Sequence, residues 1–336
     1  MTDILLLLTL AAAVMDSTGV TGTQQTGISS PPADSTAAGG ENFMWRSYKG
    51  AVGTRRYKLY VPSGIERTKK PALVVMLHGC TQDPDDFARG TRMNEVAERE
   101  KFFVLYPEQP TTANPLKCWN WYDSANQSRD TGEPAIIAGM TQAVVREKKI
   151  DPSRVYLVGI SAGAAMGAIL GATYPDVYSA LVLHSGIPYG IAKNVTQGIQ
   201  MMRQPAGEAK PLGELVTTAM GRYRRRIPVF IAQGTTDPAV NAGNAALLRQ
   251  QWLAANGIAP EVTAEMERVT AENRHPAQRE RYRDKKGRVI VEEWMVEGLG
   301  HAWSGGSKDG TYTDARGPDL TEAAVRFLLG SRGKKR

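Results

Sequence analysis

The chain has 336 residues, and 42% of them are hydrophobic, which is enough to fill a sizeable core in one large domain or two modest ones. Its 41 basic and 34 acidic residues give a net charge of +7, concentrated only at "RYRRR" (222–226) and in the terminal "GKKR" (333–336). Because no aromatic-interleaved basic stripe or nucleic-acid reader motif accompanies this charge, we interpret it as solvated surface and expect no nucleic-acid partner.

Residues 1–40 predict a signal-like segment and a disordered leader. The apolar run from Ile4 to Val14 is too short to span a bilayer but has the length of a signal-peptide core, so we expect no stable membrane anchor. Asp3 stands where a secretory n-region carries Lys or Arg, which keeps a cytoplasmic protein as the alternative to a secreted or periplasmic one. Residues 19–40 are rich in Gly, Ser, Thr, Pro and Ala and lack the apolar surface that would offset their ordering entropy.

From Phe43 onward, short β-like runs alternate with helical segments, which predicts an α/β fold with a mostly parallel central sheet and helices on both faces. We expect one catalytic domain over residues 41–332, followed by a basic tail at 333–336. "TRRYKLYVP" (54–62) alternates like an exposed antiparallel edge strand. The continuously apolar runs predict buried strands at "PALVVMLHG" (71–79), "KFFVLYPE" (101–108), "RVYLVGI" (154–160), "SALVLHSG" (179–186) and "IPVFIAQG" (227–234).

Helical spacing appears in "DDFARGTRMNEVAEREK" (85–101), in the stripe of Ile136, Ile137, Met140 and Val144, and in the final "PDLTEAAVRFLLG" (318–330). "RERYRDKKGRVIVEEWMVEG" (279–298) reads as a hairpin around a Lys-Lys-Gly turn. Residues 191–226 have weak periodicity, and their core would be too small alone, so we interpret them as a cap inserted over the site.

The stretch "VYLVGISAGAAMGAIL" (155–170) places Ser161 between two glycines, where a predicted strand stops and an alanine-rich helix starts. Glycines at positions 159 and 163 allow a sharp turn that exposes one hydroxyl, and this strand-turn-helix context makes G-x-S-x-G informative. We therefore predict Ser161 as a nucleophile.

A serine nucleophile needs a base, and in this arrangement the base follows the acid near the end of the chain. His301, in "EGLGHAWSGG", follows the last predicted strand and is the candidate. The histidines at 78, 184 and 275 read as structural or surface imidazoles, because two lie before or close to Ser161 and the third lies in a polar segment.

The acid should follow a strand between the nucleophile and the base. Asp237, in "IPVFIAQGTTDPAVN", does so, and a carboxylate there would orient the imidazole and stabilise its protonated form. Asp176 is the rival, although "TYPDVYSA" favours a helix-to-strand turn.

An oxyanion hole requires two backbone N–H groups, one from the residue after the nucleophile and one from an early loop. Ala162 would supply the first, and Cys80, in "VVMLHGCTQ", the second. Cys80 and Cys118 are an even count compatible with one disulfide or with two unrelated buried thiols. Neither lies at zinc-ligand spacing, so we expect no metal, and the chemistry needs no cofactor.

The motifs "LHGCTQDPDDFARGTRMNEVAE", "CWNWY", "GISAGAAM", "HSGIPYG" and "GLGHAWSGG…YTDARGPD" together resemble the polyhydroxybutyrate depolymerase-type esterases of the α/β-hydrolase superfamily, which include feruloyl esterase relatives. The resemblance covers Phe43 to Gly330. It implies a secreted serine ester hydrolase with Ser161, Asp237 and His301 on the matching positions. It also implies a disulfide between Cys80 and Cys118. Two departures, Gln233 where similar sequences often carry His and Ser304 where Pro often stands, affect the expected substrate preference.

The leading hypothesis is a serine esterase that cleaves short hydroxyalkanoate esters or oligomers; the alternative is a feruloyl or acetylxylan-type esterase on plant polysaccharide. A non-catalytic binding protein should have lost a triad member, and a serine peptidase usually carries an extra gating domain. Trp119, Trp121 and Trp303 are open between lining the cleft and packing in the core. Because no polymer-binding module follows the last helix, we expect soluble oligomers rather than solid polyester; the oligomeric state is not indicated.

Overall fold

The computed structural model describes residues 42–206, 209–259 and 262–331. The predicted leader (1–40) and basic tail (333–336) lie outside these residues. Within the described part of the chain, no helix has the length and apolarity needed to cross a membrane.

The strands are β1 (Phe43–Gly50), β2 (Gly53–Tyr60), β3 (Leu73–Leu77), β4 (Phe103–Pro107), β5 (Val155–Ile160), β6 (Ala180–His184), β7 (Val229–Gly234), β8 (Glu265–Val269), β9 (Ala277–Arg283), β10 (Val289–Val296), β11 (Trp303–Ser304) and β12 (Thr313–Asp314). The α-helices are α1 (Pro84–Thr91), α2 (Met93–Glu100), α3 (Gly132–Glu147), α4 (Ala162–Thr173), α5 (Val195–Arg203), α6 (Ala209–Met220), α7 (Gly243–Ala255) and α8 (Leu320–Gly330).

Ten strands form one sheet in the order β1-β2-β4-β3-β5-β6-β7-β10-β9-β8. The central strands from β4 to β10 pair in parallel, while β1, β2, β8 and β9 add antiparallel pairs at the two ends. A parallel centre requires helical crossovers that cover both faces, which explains why its strands are continuously apolar. The predicted fold class is confirmed.

Successive residues of β3 divide between two hydrophobic cores, one on each face of the sheet. Leu73, Val75 and Leu77 pack in the core that α3, α4, α6 and α7 complete. Val74 and Met76 pack in the core that α1, α2 and α8 complete. The two layers hold the carboxyl ends of the parallel strands at one edge, where several loops meet.

One detail of the predicted elements is wrong. The segment predicted as an edge strand is β2, which lies between β1 and β4, because the preceding residues of β1 pair with it along eight positions and occupy the edge themselves. The segment 85–101 with helical spacing forms two helices, α1 and α2, which are separated at Arg92, whose φ of 54° is left-handed and interrupts the helical backbone.

The segment 191–226 contains α5 and α6, and α6 packs against α7 and α4. Its described residues share the hydrophobic core of the sheet, since Met202, Val216 and Met220 are buried there. Its interpretation as a cap over the site stays a prediction.

Candidate active site

Ser161 forms the turn between β5 and α4 with φ 57° and ψ −124°, a left-handed backbone that L-residues rarely adopt. The flanking glycines make this turn possible. A Cβ on Gly163 would collide with the carbonyl of Leu77, and a Cβ on Gly159 would collide with the backbone of Gly163. The serine side chain therefore stands at the carboxyl edge of the sheet, at the amino end of α4.

Asp237 and His301 meet at the same edge, on the loops after β7 and β10. The imidazole Nδ1 lies 2.8 Å from Asp237 Oδ2, and the exposed fractions of the two side chains are only 7% and 0%. Asp237 Oδ1 accepts the backbone N–H groups of Ala239 and Val240, each at 2.9 Å. The carboxylate is thus fixed, and it holds Nδ1 of His301 as the protonated nitrogen, which leaves Nε2 for the substrate side.

Burial alone would raise the pKa of the Asp237 carboxyl. This effect is outweighed by the hydrogen bond and the positive charge of His301, and by hydrogen bonds from the Val240 N–H and the Ser185 hydroxyl, so the pKa falls to about 2. Asp237 is therefore ionised at neutral pH. A buried anion beside the imidazole stabilises the imidazolium that would form during a proton transfer.

Ser161 and His301 line one small cavity together with Gly79, Cys80 and Tyr312. Among the described residues, no direct hydrogen bond joins the serine hydroxyl to His301. Such bonds are often long in unliganded enzymes and shorten when substrate binds, so the shared cavity is the relevant geometry.

Cys80, after β3, and Ala162, at the start of α4, both line the adjoining apolar cleft together with Ser161. The neighbouring amides are engaged: Gly79 N–H donates to Gln82 Oε1 at 2.9 Å, and Thr81 N–H donates to the Leu116 carbonyl. Within the described residues, the amides of Cys80 and Ala162 have no such acceptor. Two free N–H groups beside a nucleophile have the form of an oxyanion hole.

Cys80 and Cys118 form a disulfide that closes a 38-residue separation in the chain. Around Cys118, the loop is held by buried Glu133, which accepts hydrogen bonds from Gln109 and from the backbone and side chain of Asn120. The loop after β3 that carries Cys80 is therefore covalently tied to a segment with its own buried hydrogen bonds, which restricts the position of the Cys80 N–H.

The three candidate tryptophans have different surroundings. Trp121 lines the cleft beside Ser161. Trp119 is fully buried and donates from Nε1 to the His78 carbonyl, whereas Trp303, also buried, donates from Nε1 to Thr321. Of the two alternatives left open for Trp119 and Trp303, the structure supports packing in the core, because both side chains are buried and each indole N–H has its partner there.

The cleft beside Ser161 is mostly apolar and is bordered by α5. Its walls are formed by Cys80, Cys118, Trp121, Tyr122, Ser161, Ala162, Ile187, Val195, Gly198, Ile199, Met202 and Val240. A Cβ on Gly198 would lie 3.0 Å from Tyr122 Cβ and 3.1 Å from the Trp121 ring, so α5 packs directly against these aromatic side chains. Such walls suit a slender apolar group.

The rejected candidates lie elsewhere. Burial lowers the pKa of His78 to about 4, and its Nε2 accepts the Gln109 N–H at 3.1 Å. His275 contacts Asp314 instead of Asp237, at 3.2 Å. Asp176 forms a surface pair with Arg129, with Nη1–Oδ1 at 2.7 Å. Among the described residues, none of these three forms a hydrogen bond with Ser161, Asp237 or His301.

A larger cavity lies between the β9–β10 hairpin and α8, and several of its arginines are paired with acids. Arg279 contacts Glu292 at 2.8 Å, and Arg283 contacts Glu265 at 2.8 Å. The residues that line this cavity include no histidine, so it offers no serine–histidine pair.

Two side chains near the site, Ser185 and Tyr312, were not assigned roles from the sequence. Ser185 donates to Asp237 Oδ2 at 2.8 Å, and the Tyr312 hydroxyl lies 3.2 Å from Thr81 Oγ1 in the loop after β3. Gln233, which was expected to affect substrate preference, is instead fully buried, and its amide donates to Asp237 Oδ2 at 3.0 Å.

The sheet order, with Ser161 after β5, Asp237 after β7 and His301 after β10, defines an α/β-hydrolase fold with a serine–histidine–aspartate site. A family model described as "Esterase PHB depolymerase" matches residues 55–278. The chain belongs to this esterase family.

Similar proteins include poly(3-hydroxyalkanoate) depolymerase C of Paucimonas lemoignei, which is 31% identical over 245 residues, 72% of this chain and 57% of that protein. Feruloyl esterase B of Neurospora crassa is 33% identical over 135 residues, 40% of this chain and 44% of that protein. The chain thus spans about half the length of these curated relatives. The solved acetyl xylan esterase from Aspergillus awamori has a TM-score of 0.67 and 20% identity and covers 82% of this chain and 94% of its own, which shows the shared fold.

Proposed function

We propose that the protein is a serine carboxylic-ester hydrolase that works through an acyl-enzyme. The observation that carries this proposal is the convergence of three loops: Ser161 on its strained turn shares a cavity with His301, whose Nδ1 is held by buried Asp237. Membership in a family of esterases supports the same chemistry.

In the proposed reaction, the Ser161 hydroxyl attacks the ester carbonyl carbon while His301 Nε2 accepts its proton. The negative oxygen of the tetrahedral intermediate accepts hydrogen bonds from the N–H groups of Cys80 and Ala162. The intermediate collapses when the C–O bond to the alcohol breaks and His301 returns the proton to the departing oxygen. A water then attacks the acyl carbon while His301 Nε2 accepts its proton. When the bond between the acyl carbon and the Ser161 oxygen breaks, His301 returns that proton to the serine oxygen and the acid is released.

We propose short hydroxyalkanoate esters or oligomers as substrates. The cleft walls are apolar, and α5 packs against Trp121 and Tyr122 at Gly198, which favours an aliphatic acyl chain over an aromatic acid. The similarity to the poly(3-hydroxyalkanoate) depolymerase extends over 72% of the chain, against 40% for the feruloyl esterase. A feruloyl or acetylxylan-type esterase is the alternative, supported by those relatives.

The disulfide favours an oxidising compartment, so we propose export for the protein.

A hydrolysis panel tests the substrate class. The panel contains 3-hydroxybutyrate dimers and trimers, methyl ferulate, acetylated xylan and p-nitrophenyl esters of graded chain length. We expect kcat/KM for the hydroxybutyrate trimer to exceed that for methyl ferulate by about tenfold or more, since one or two misfitting groups in an apolar pocket change rates by this order. The Ser161→Ala variant gives the blank. Preference for methyl ferulate or acetylated xylan would establish the alternative instead.

A further inference from the structure

His184 is the last residue of strand β6, and Ser185 follows it. Strand β6 lies between β5, which precedes Ser161, and β7, which precedes Asp237, and the backbone of the dipeptide is hydrogen-bonded on both sides. The His184 carbonyl accepts the N–H of Ser161 at 2.9 Å, and the Ser185 N–H donates to the Ala232 carbonyl at 2.9 Å. Ser185 has a φ of 50°, a left-handed conformation that directs its side chain out of the strand. The dipeptide contacts Ser161, Asp237 and Trp303, and neither residue lines the cleft.

The hydrogen bonds of these side chains have a fixed direction. Asp237 is an ionised acceptor, so the Ser185 hydroxyl, 2.8 Å from Oδ2, must donate to it. The Ser185 oxygen then accepts from His184 Nδ1 at 3.0 Å, which requires the Nδ1–H tautomer of His184. His184 is completely buried, and burial lowers its pKa to about 3, so the ring is neutral at working pH.

The ring of His184 is immobilised on its other side. It stacks on Trp303, with ring centroids 5.6 Å apart and planes inclined by 29°. Its Nε2 makes no hydrogen bond of normal geometry with the described residues, and the backbone of Ala302 stabilises the charged form of the ring only in part against burial. Trp303 lies two residues after His301, so its packing against His184 links His184 to the loop that carries His301.

Asp237 Oδ2 accepts three hydrogen bonds, from Ser185, Gln233 and His301. Each of these donors partly neutralises the negative charge of the carboxylate. If one donor is removed, the carboxylate interacts more strongly with the remaining donors, which strengthens its bond to His301 and stabilises the protonated imidazole.

We propose that Ser185, held by His184, is a positioning residue that orients the Asp237 carboxylate and limits how strongly it stabilises protonated His301. The inference rests on the proposed function, because it assigns a role in that same site. Ser185 does not touch the substrate. The charged or titratable groups that face His301 are Asp237, the neutral ring of His184 and the phenol of Tyr312.

The test is the pH profile of kcat/KM for Ser185→Ala. The neutral imidazole is the active form, and stronger stabilisation of the imidazolium moves the acid limb to higher pH, by about half a unit to one unit. We expect kcat to fall about tenfold with KM changed less than about twofold, since the group acts on the base and not on the substrate.

Ser179→Ala is the matched control, because Ser179 precedes the same strand at its opposite end and its hydroxyl has no partner among the described residues. This variant should keep both the rate and the acid limb of the unmodified protein. Ser185→Cys serves if the alanine variant does not fold, since the thiol keeps the shape but donates weakly. Its acid limb should move in the same direction by a smaller amount. Ser185→Thr is unsuitable, because a β-branched residue is strained at this φ.

An upward shift of the acid limb in Ser185→Ala or Ser185→Cys, absent in Ser179→Ala, supports the inference. A wild-type profile, or a lower kcat with an unmoved acid limb, overturns it, since the first shows no role and the second a structural one. The proposed function fails separately, if Ser161→Ala remains active. An inactive Ser161→Ala beside an unchanged Ser185→Ala refutes the positioning role alone.

Discussion

Replacing Ser161 with Ala is expected to lower kcat by about four to six powers of ten, because the attacking oxygen is lost while the oxyanion donors remain. The fold should survive, since alanine removes one oxygen from a side chain that makes no hydrogen bond with His301 and is 8% exposed. Steady-state kinetics on the preferred ester of the panel measure the loss, and thermal unfolding checks the fold.

The double variant Ser161→Ala/His301→Ala should be scarcely slower than either single variant, since residues that act as one unit are not additive. The Ser179→Ala variant provides a serine-to-alanine control away from the site. Turnover in Ser161→Ala close to that of the unmodified protein, on every ester tested, would contradict the assignment of the nucleophile.

Replacing Asp237 with Asn should reduce kcat by about three to four powers of ten, because the neutral amide neither stabilises the imidazolium nor holds Nδ1 of His301 as the protonated nitrogen. The matched control is Asp176→Asn. Asp176 pairs on the surface with Arg129, and losing such a pair costs less than about 1 kcal/mol of stability and should leave kcat unchanged. Both variants are compared in the same ester assay.

The two aspartates were the rival acids, so the pair of variants decides between them. An inactive Asp176→Asn beside an active Asp237→Asn would reverse the assignment. The low pKa of Asp237, about 2, predicts that its own protonation does not limit activity above about pH 4.

The central part of the fold could be predicted because its physical cause is local. Strands β3 and β5 are buried on both faces and are therefore continuously apolar in sequence. Strand β8 could not be predicted, because "EMERV" is exposed, charged and paired only with β9. Strands β11 and β12 have two residues each and exist only because the loops after β10 meet in space.

The positions of Ser161, Asp237 and His301 were predicted from glycine spacing and chain order. The glycines indicate the sharp backbone turn at Ser161, and the chain order indicates which strand ends carry Asp237 and His301. The supporting hydrogen bonds were not predictable in this way. Ser185 and Asp237 are 52 residues apart, and only the pairing of β6 with β7 brings them to 2.8 Å. The same limit applies to Trp303, whose position beside His301 in sequence suggested the cleft, although its ring packs under the site against His184.

Covalent trapping tests the central claim most directly. The full-length protein is treated with an alkyl fluorophosphonate, which phosphonylates activated serine hydroxyls with release of fluoride, and the modified peptide is located by mass spectrometry. We predict one adduct per chain, on Ser161, with complete loss of ester hydrolysis, no adduct in Ser161→Ala and strongly slowed labelling in His301→Ala. An inactivating adduct on another residue, or full ester hydrolysis after stoichiometric labelling of Ser161, would contradict the account.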